Sequence, residues 1–163
     1  MININNKKGF TIAELLISLA ISAILLAAVA FAFQSSITNY SENEDIFKTI
    51  NSARQALCRI TTQLRTADFL DPCSPENQCS FYTPEHELIT YDYRSADQKL
   101  YLVSGGKDYL LCENVTAMTF TKDTFIHDVF GPSVKSVQIS MTVQNGDVTN
   151  TISAASVIRR NLN

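Results

Sequence analysis

The sequence predicts an α+β fold, in which a long N-terminal helix, apolar enough at its start to cross a membrane, is laid on an antiparallel β-sheet. Three observations predict it. Phe10 to Phe33 is a run of 24 residues with a single charge, Glu14. From Gln34 to Phe69 no Pro or Gly intervenes, and apolar residues recur at helical spacing. From Phe81 onward the chain turns to short alternating segments bounded by turn residues.

The chain of 163 residues is long enough for one domain with a core of its own. Net charge is −3 and the pI is about 5.3, so the broad basic surface of a nucleic-acid binder is absent and no nucleic-acid partner is expected. Apolar residues make up 45% of the chain but are concentrated in the first 33 positions.

Residues 1–9, MININNKKG, form a short polar leader carrying Lys7 and Lys8. Residues 10–33 then form an apolar helix of about 36 Å, enough to cross a hydrocarbon core of about 30 Å. Lysines before the span and none directly after it place the N-terminus in the cytoplasm and the head, residues 34–163, in the periplasm. A carboxylate in such a helix costs about 2.5–3.5 kcal/mol at the bilayer centre, less near the edge where Glu14 falls. It therefore calls for a cationic partner, which the apolar run lacks and an adjacent polypeptide can supply. A plain anchor and a conventional secretory signal are the competing readings. The second would cut after Ala30 or Ala32, where Ala28-Val29-Ala30 and Ala30-Phe31-Ala32 fit the small-x-small pattern. It would yield a secreted or anchored binding domain.

In residues 34–70, Phe47, Ile50, Leu57, Ile60, Leu64 and Ala67 form one apolar stripe on a helix, with Arg54, Arg59 and Arg65 beside or opposite it. The helix is expected to continue from the membrane into the head, and Ser35–Glu44 is where a break would fall, because Ser and Asn compete for backbone bonds. Asp71-Pro72 ends it. Residues 79–163 read as β-rich. Phe81–Thr83, Leu88–Tyr93, Leu100–Val103, Tyr109–Cys112 and Val115–Thr121 are strand segments. Val137, Ile139, Met141 and Val143 alternate up to Asn145-Gly146, the strongest hairpin signal in the chain. The helical stripe and the one-sided strands cover each other.

Four cysteines beyond a membrane segment suggest disulfides in an oxidising space. Cys73–Cys79 is the simplest local bridge, and Cys58 with Cys112 would then staple helix to strand. Their spacing is wrong for a paired zinc site.

No catalytic pattern emerges. His86 and His127 sit in polar, loop-like contexts, and Asp68/Asp71 and Glu85/Glu87 read as solvated charge. Asp123 and Asp128 are too sparse for a calcium loop. Ser104-Gly105-Gly106-Lys107 lacks the context of a phosphate loop. No nucleophile motif occurs. The expectation is a protein that is not an enzyme, with no cofactor and no metal.

The stretch Lys7-Lys8-Gly9-Phe10-Thr11-Ile12-Ala13-Glu14-Leu15-Leu16 resembles the class III signal of type IV prepilins and type II secretion pseudopilins. The resemblance implies cleavage between Gly9 and Phe10 by prepilin peptidase and methylation of the new Phe10 amine. It also implies a contact between Glu14 and the amino terminus of an adjacent subunit during assembly. It implies a pilin-like fold, other pilin or pseudopilin subunits and an inner-membrane assembly platform as partners, and a role in a pilus or pseudopilus. Many main-shaft pilins carry Pro where this chain has Phe31, which points to a minor subunit. The run at 110–120 and Val157-Ile158-Arg159-Arg160-Asn161 look like the heads of secretion pseudopilin J and PilW-like minor pilins, suggesting a place near the filament tip.

Overall fold

A computed structural model describes residues 9–127 and 131–158, with the side chain of His127 outside that set. The leader charges Lys7 and Lys8, Asp128, and the closing Arg159, Arg160 and Asn161 lie outside the described residues. The chain divides into two compact units, residues 1–43 and 44–163.

The first unit holds most of the apolar part of α1 (Ile12–Thr66). An 18-residue window of α1 has a mean hydropathy of 2.7, and none of it is buried. Ile12, Leu19, Leu26 and Phe31 are all exposed, so water is the wrong solvent for this surface on every side. No break occurs in Ser35–Glu44. Thr38 returns its hydroxyl to the Gln34 carbonyl at 3.1 Å, a bond made within the helix rather than against it.

In the second unit the end of α1 packs on two antiparallel sheets rather than the one expected. Five strands, β1 (Phe69–Leu70), β2 (Gln78–Tyr82), β3 (Leu88–Arg94), β4 (Lys99–Ser104) and β5 (Lys107–Cys112), form the first in sequence order. Three, β6 (Val115–His127), β7 (Gly131–Asn145) and β8 (Val148–Val157), form the second. The division falls at Glu113-Asn114. Asn114 adopts φ +60, tolerable for Asn, and turns the chain away from β4. The Val115 N–H is then spent on the Gln98 carbonyl at 2.9 Å, and the Asn114 carbonyl accepts from Gln144 at 2.9 Å. Tight hairpins set the registers elsewhere. Gly105 and Gly106, both at positive φ, join β4 to β5, and Gly146 at φ +56 joins β7 to β8.

The core lies between α1 and the sheets. Ala53, Ala56, Leu57, Ile60 and Leu64 of α1 and Ala67 just past its end are buried, with Tyr91, Leu100, Phe120, Ile139 and Met141 from the strands. Phe47, expected in the same stripe, is instead 66% exposed, because the buried arc begins only at Ala53. Polar ties fasten helix to sheets. Tyr91 Oη donates to Gln63 Oε1, Ser156 Oγ to the Thr61 carbonyl at 3.2 Å, and Asn145 Nδ2 to Thr49 Oγ1 at 3.0 Å. On the outer face of the first sheet, Arg94 bridges Asp92 at 2.8 Å and Asp108 at 2.7 Å and lies 4.4 Å from the Tyr101 ring centroid.

The helix ends at Thr66, short of the expected Leu70, since Phe69 and Leu70 peel off to pair with Tyr82 and Phe81. His127 closes β6 rather than lying in a loop, because the β6–β7 ladder runs on past a bulge at Asp123/Thr124.

Candidate functional site: the N-terminal segment

The helix start is built by Thr11 and Glu14. Thr11 precedes the first helical residue and Glu14 stands three positions later. This is the spacing at which a hydroxyl and a carboxylate satisfy each other's backbone donors. Glu14 Oε2 accepts the Thr11 N–H at 2.9 Å and the Thr11 hydroxyl at 3.0 Å, and the Glu14 N–H reaches Thr11 Oγ1 at 3.3 Å. The carboxylate thus sits on the positive end of the helix dipole, closing a donor left open at any helix N-terminus. The Thr-x-x-Glu signature was readable in the sequence. Treating Glu14 only as a charge in search of a neighbour passes over this local role.

Geometry leaves the second role available. Glu14 is exposed, and its known bonds fall on one oxygen, Oε2. Phe10 is 80% exposed, and Gly9 has open space around its Cα. The Gly9–Phe10 bond lies outside the helix, ahead of the capped turn. Ala28-Val29-Ala30 and Ala30-Phe31-Ala32, by contrast, lie inside α1. Farther along the span, Ser18 and Ser22 turn their hydroxyls back to the Leu15 and Ser18 carbonyls at 2.9 and 2.8 Å, so they present no free donor to a neighbouring helix.

The other residues singled out in the sequence do not converge. His86 occupies a turn at φ +63 after Thr83. Asp71 caps its own turn, accepting the Cys73 N–H at 2.9 Å. Among the described residues no group of three His, Cys, Asp or Glu side chains is placed to hold a metal ion. Among the described residues, the open hollow of about 380 Å³ beside Glu87, Thr90 and Gly105-Gly106 brings Glu87 together with neither a His nor a Cys.

All four cysteines are free thiols, so the structure contains neither expected bridge. Cys58 is exposed on the helix side turned from the core. Cys112 is buried and lines a hollow with Lys48, Thr49 and Ser52, a lining that does not include Cys58. Burial pushes the Cys79 thiol up to about 12 and the Cys112 thiol to about 11.

Residues 4–30 match a family model described as the prokaryotic N-terminal methylation motif. No curated protein and no solved structure matches the chain. The N-terminal segment is a class III signal of the type IV prepilin kind, which supports a type IV pilin-like or pseudopilin precursor, and it leads one long apolar helix and an α+β head. Such precursors are processed by prepilin peptidase, assemble with other pilins and generally serve as structural subunits.

Proposed function

We propose that the protein is a minor pilin or pseudopilin, a non-enzymatic structural subunit that enters a type IV pilus or type II secretion pseudopilus at or near its tip. The observation that carries this reading is the methylation motif laid over a helix start whose carboxylate is exposed and held in place. Prepilin peptidase cuts between Gly9 and Phe10 and the new Phe10 amine is methylated. A methylated amine keeps its positive charge. The apolar span holds the subunit in the inner membrane, N-terminus cytoplasmic and head periplasmic, until the assembly platform moves it into the filament. There the exposed apolar surface of 10–33 exchanges lipid for the helices of neighbouring subunits. Glu14 meets the Phe10 amine of an adjacent subunit and fixes axial register. Desolvation opposes the Coulomb gain of such a pair, so its yield is specificity more than stability. The helix without Pro at Phe31 supports a minor rather than a shaft subunit.

Mass spectrometry of the mature N-terminus tests the processing step. The expected result is a chain beginning at methylated Phe10. A start at Phe31 or Phe33 supports a conventionally secreted binding domain, and retention of residues 1–9 in cells with active prepilin peptidase refutes the proposal. Capture of several different pilin-like partners with the full chain is expected of a tip subunit, and capture of the chain by itself alone counts against that position.

A further inference from the structure

Two surfaces of the head are left without charge partners, and they complement each other. On α1, Arg54 and Arg65 are exposed and about three helical turns apart, so they stand on one line about 16 Å long, with exposed Cys58 between them. Among the described residues neither arginine makes an ion pair, although Lys48, Arg94 and Lys99 each hold a carboxylate.

The second surface lies at one end of the first sheet. Phe69, Tyr82 and Leu88 are neighbours in one row across β1, β2 and β3, and remain 41%, 40% and 49% exposed. The Phe69 and Tyr82 rings lie 6.5 Å apart. The turn that joins β2 to β3 adds Glu85 and Glu87, both exposed and without an ion pair among the described residues. That turn is fixed. The Thr83 N–H meets the Glu87 carbonyl at 2.9 Å, the His86 N–H meets the Thr83 carbonyl at 2.9 Å, and the Glu87 N–H meets Thr83 Oγ1 at 3.2 Å.

Open rings beside unpaired carboxylates call for a covering that is both flat and cationic. Arginine meets both demands, since its guanidinium lies on an aromatic face while its N–H groups take carboxylate oxygens. The same sheet already contains such an arrangement, with Arg94 over the Tyr101 ring and paired to Asp92 and Asp108.

We infer that the Arg54–Arg65 face of α1 in one copy docks on the Phe69–Tyr82–Leu88 row of a second copy, with the arginines on the rings and on Glu85 and Glu87. The two surfaces differ, so the contact is heterologous and leaves each copy with one face open to the next. Three apolar side chains cover far less than the roughly 1,200 Å² of a stable complex, so the contact is weak in free solution. Confinement of both copies to one membrane raises their effective concentration and makes it count. The docking goes beyond the role proposed above and needs neither leader cleavage nor a place at the tip.

The test puts two forms of the full chain into the same phosphatidylcholine vesicles and applies a short bis-maleimide. The first form keeps Cys58 and carries Cys73→Ser. The second carries Cys58→Ser, Cys73→Ser and Leu88→Cys, all at exposed positions. The expected product is a heterodimer joined, by peptide mass, from Cys58 of the first form to position 88 of the second. Its yield should fall about tenfold when the second form also carries Glu85→Lys and Glu87→Lys, and return when the first form carries Arg54→Glu and Arg65→Glu. No cross-link, a yield indifferent to the charge reversals, or a charge swap that restores nothing overturns the inference. A Phe10 start in cells together with no charge-dependent cross-link sinks this interface alone. A retained leader together with such a cross-link sinks the processing step alone.

Discussion

Tyr91→Phe separates what the ring of this residue contributes from what its hydroxyl contributes. Tyr91 is 0% exposed, and its ring stacks on Phe81 with centroids 6.0 Å apart and planes at 22°. Its hydroxyl donates to Gln63 Oε1 on α1, and the Arg59 guanidinium lies within electrostatic reach. Phe keeps the ring and its burial. What is lost is the hydrogen bond to neutral Gln63, worth about 1 kcal/mol, together with the contact to Arg59, and the half-buried Gln63 can turn to water for a replacement partner. Removing the ring as well, in Tyr91→Ala, should cost about 3–5 kcal/mol through lost burial and the cavity left behind. Urea titration of the full chain in detergent reads the difference, followed by near-ultraviolet circular dichroism because the chain has no Trp. With a urea slope of about 2 kcal/mol/M, Tyr91→Phe should lower the midpoint by about 0.5 M. A double-mutant cycle with Gln63→Ala should recover a coupling of about 1 kcal/mol. A Tyr91→Phe loss of 3 kcal/mol or more would refute the assignment of helix–sheet adhesion mainly to the ring, and zero coupling to Gln63 would refute the share given to the hydroxyl.

Four further outcomes are expected. Glu14→Gln preserves the capping geometry, since Gln serves as well as Glu at that position, but removes the charge. It should therefore keep helix content by circular dichroism and lose filament incorporation, whereas Glu14→Ala loses both the cap and incorporation. Wild-type incorporation of Glu14→Gln would eliminate the intersubunit charge contact. Gly9→Val meets no neighbouring atom, so it should leave the fold intact while blocking cleavage, read as retention of residues 1–9 by mass. Ile60→Ala, at a position 0% exposed, should cost about 2–5 kcal/mol in the same urea assay. Alkaline pH should destabilise the head. Burial raises Cys79 to about 12, Cys112 to about 11 and Tyr91 to about 12, so the unfolded chain releases these protons first. Their contribution is whole below pH 9 and falls as pH climbs from 9 to 12, which pH-dependent urea midpoints will show as a decline across that window.

Much of this was legible in the residues. Leu57, Ile60, Leu64 and Ala67 declared the buried helix face, because burial on one side of a helix imposes a period that survives in the sequence. Asn145-Gly146 declared its hairpin, because the turn demands residues that accept positive φ. The split into two sheets was not legible. It depends on which neighbour the N–H of Val115 finds, and alternation alone says nothing of pairing partners. The strand Phe69–Leu70 was hidden for a similar reason: two residues carry no period. The long end of β6 was masked by Lys122, Asp123 and Thr124, polar residues on a ladder that projects past β8. At the functional end, Gly9, Phe10 and Glu14 stood out through their chemistry and order. The contribution of Thr11 needed the spacing to be read as backbone geometry rather than as part of an export signal.

A chain end freshly made by proteolysis usually unravels, because its leading amides lose whatever preceded them. Under the proposed cut at Gly9, the bonds that join Thr11 and Glu14 stay in place, since both residues lie on the retained side. The trimmed polypeptide would then emerge with its first coil already closed, and whatever meets the new end would find a fixed turn instead of a loose thread.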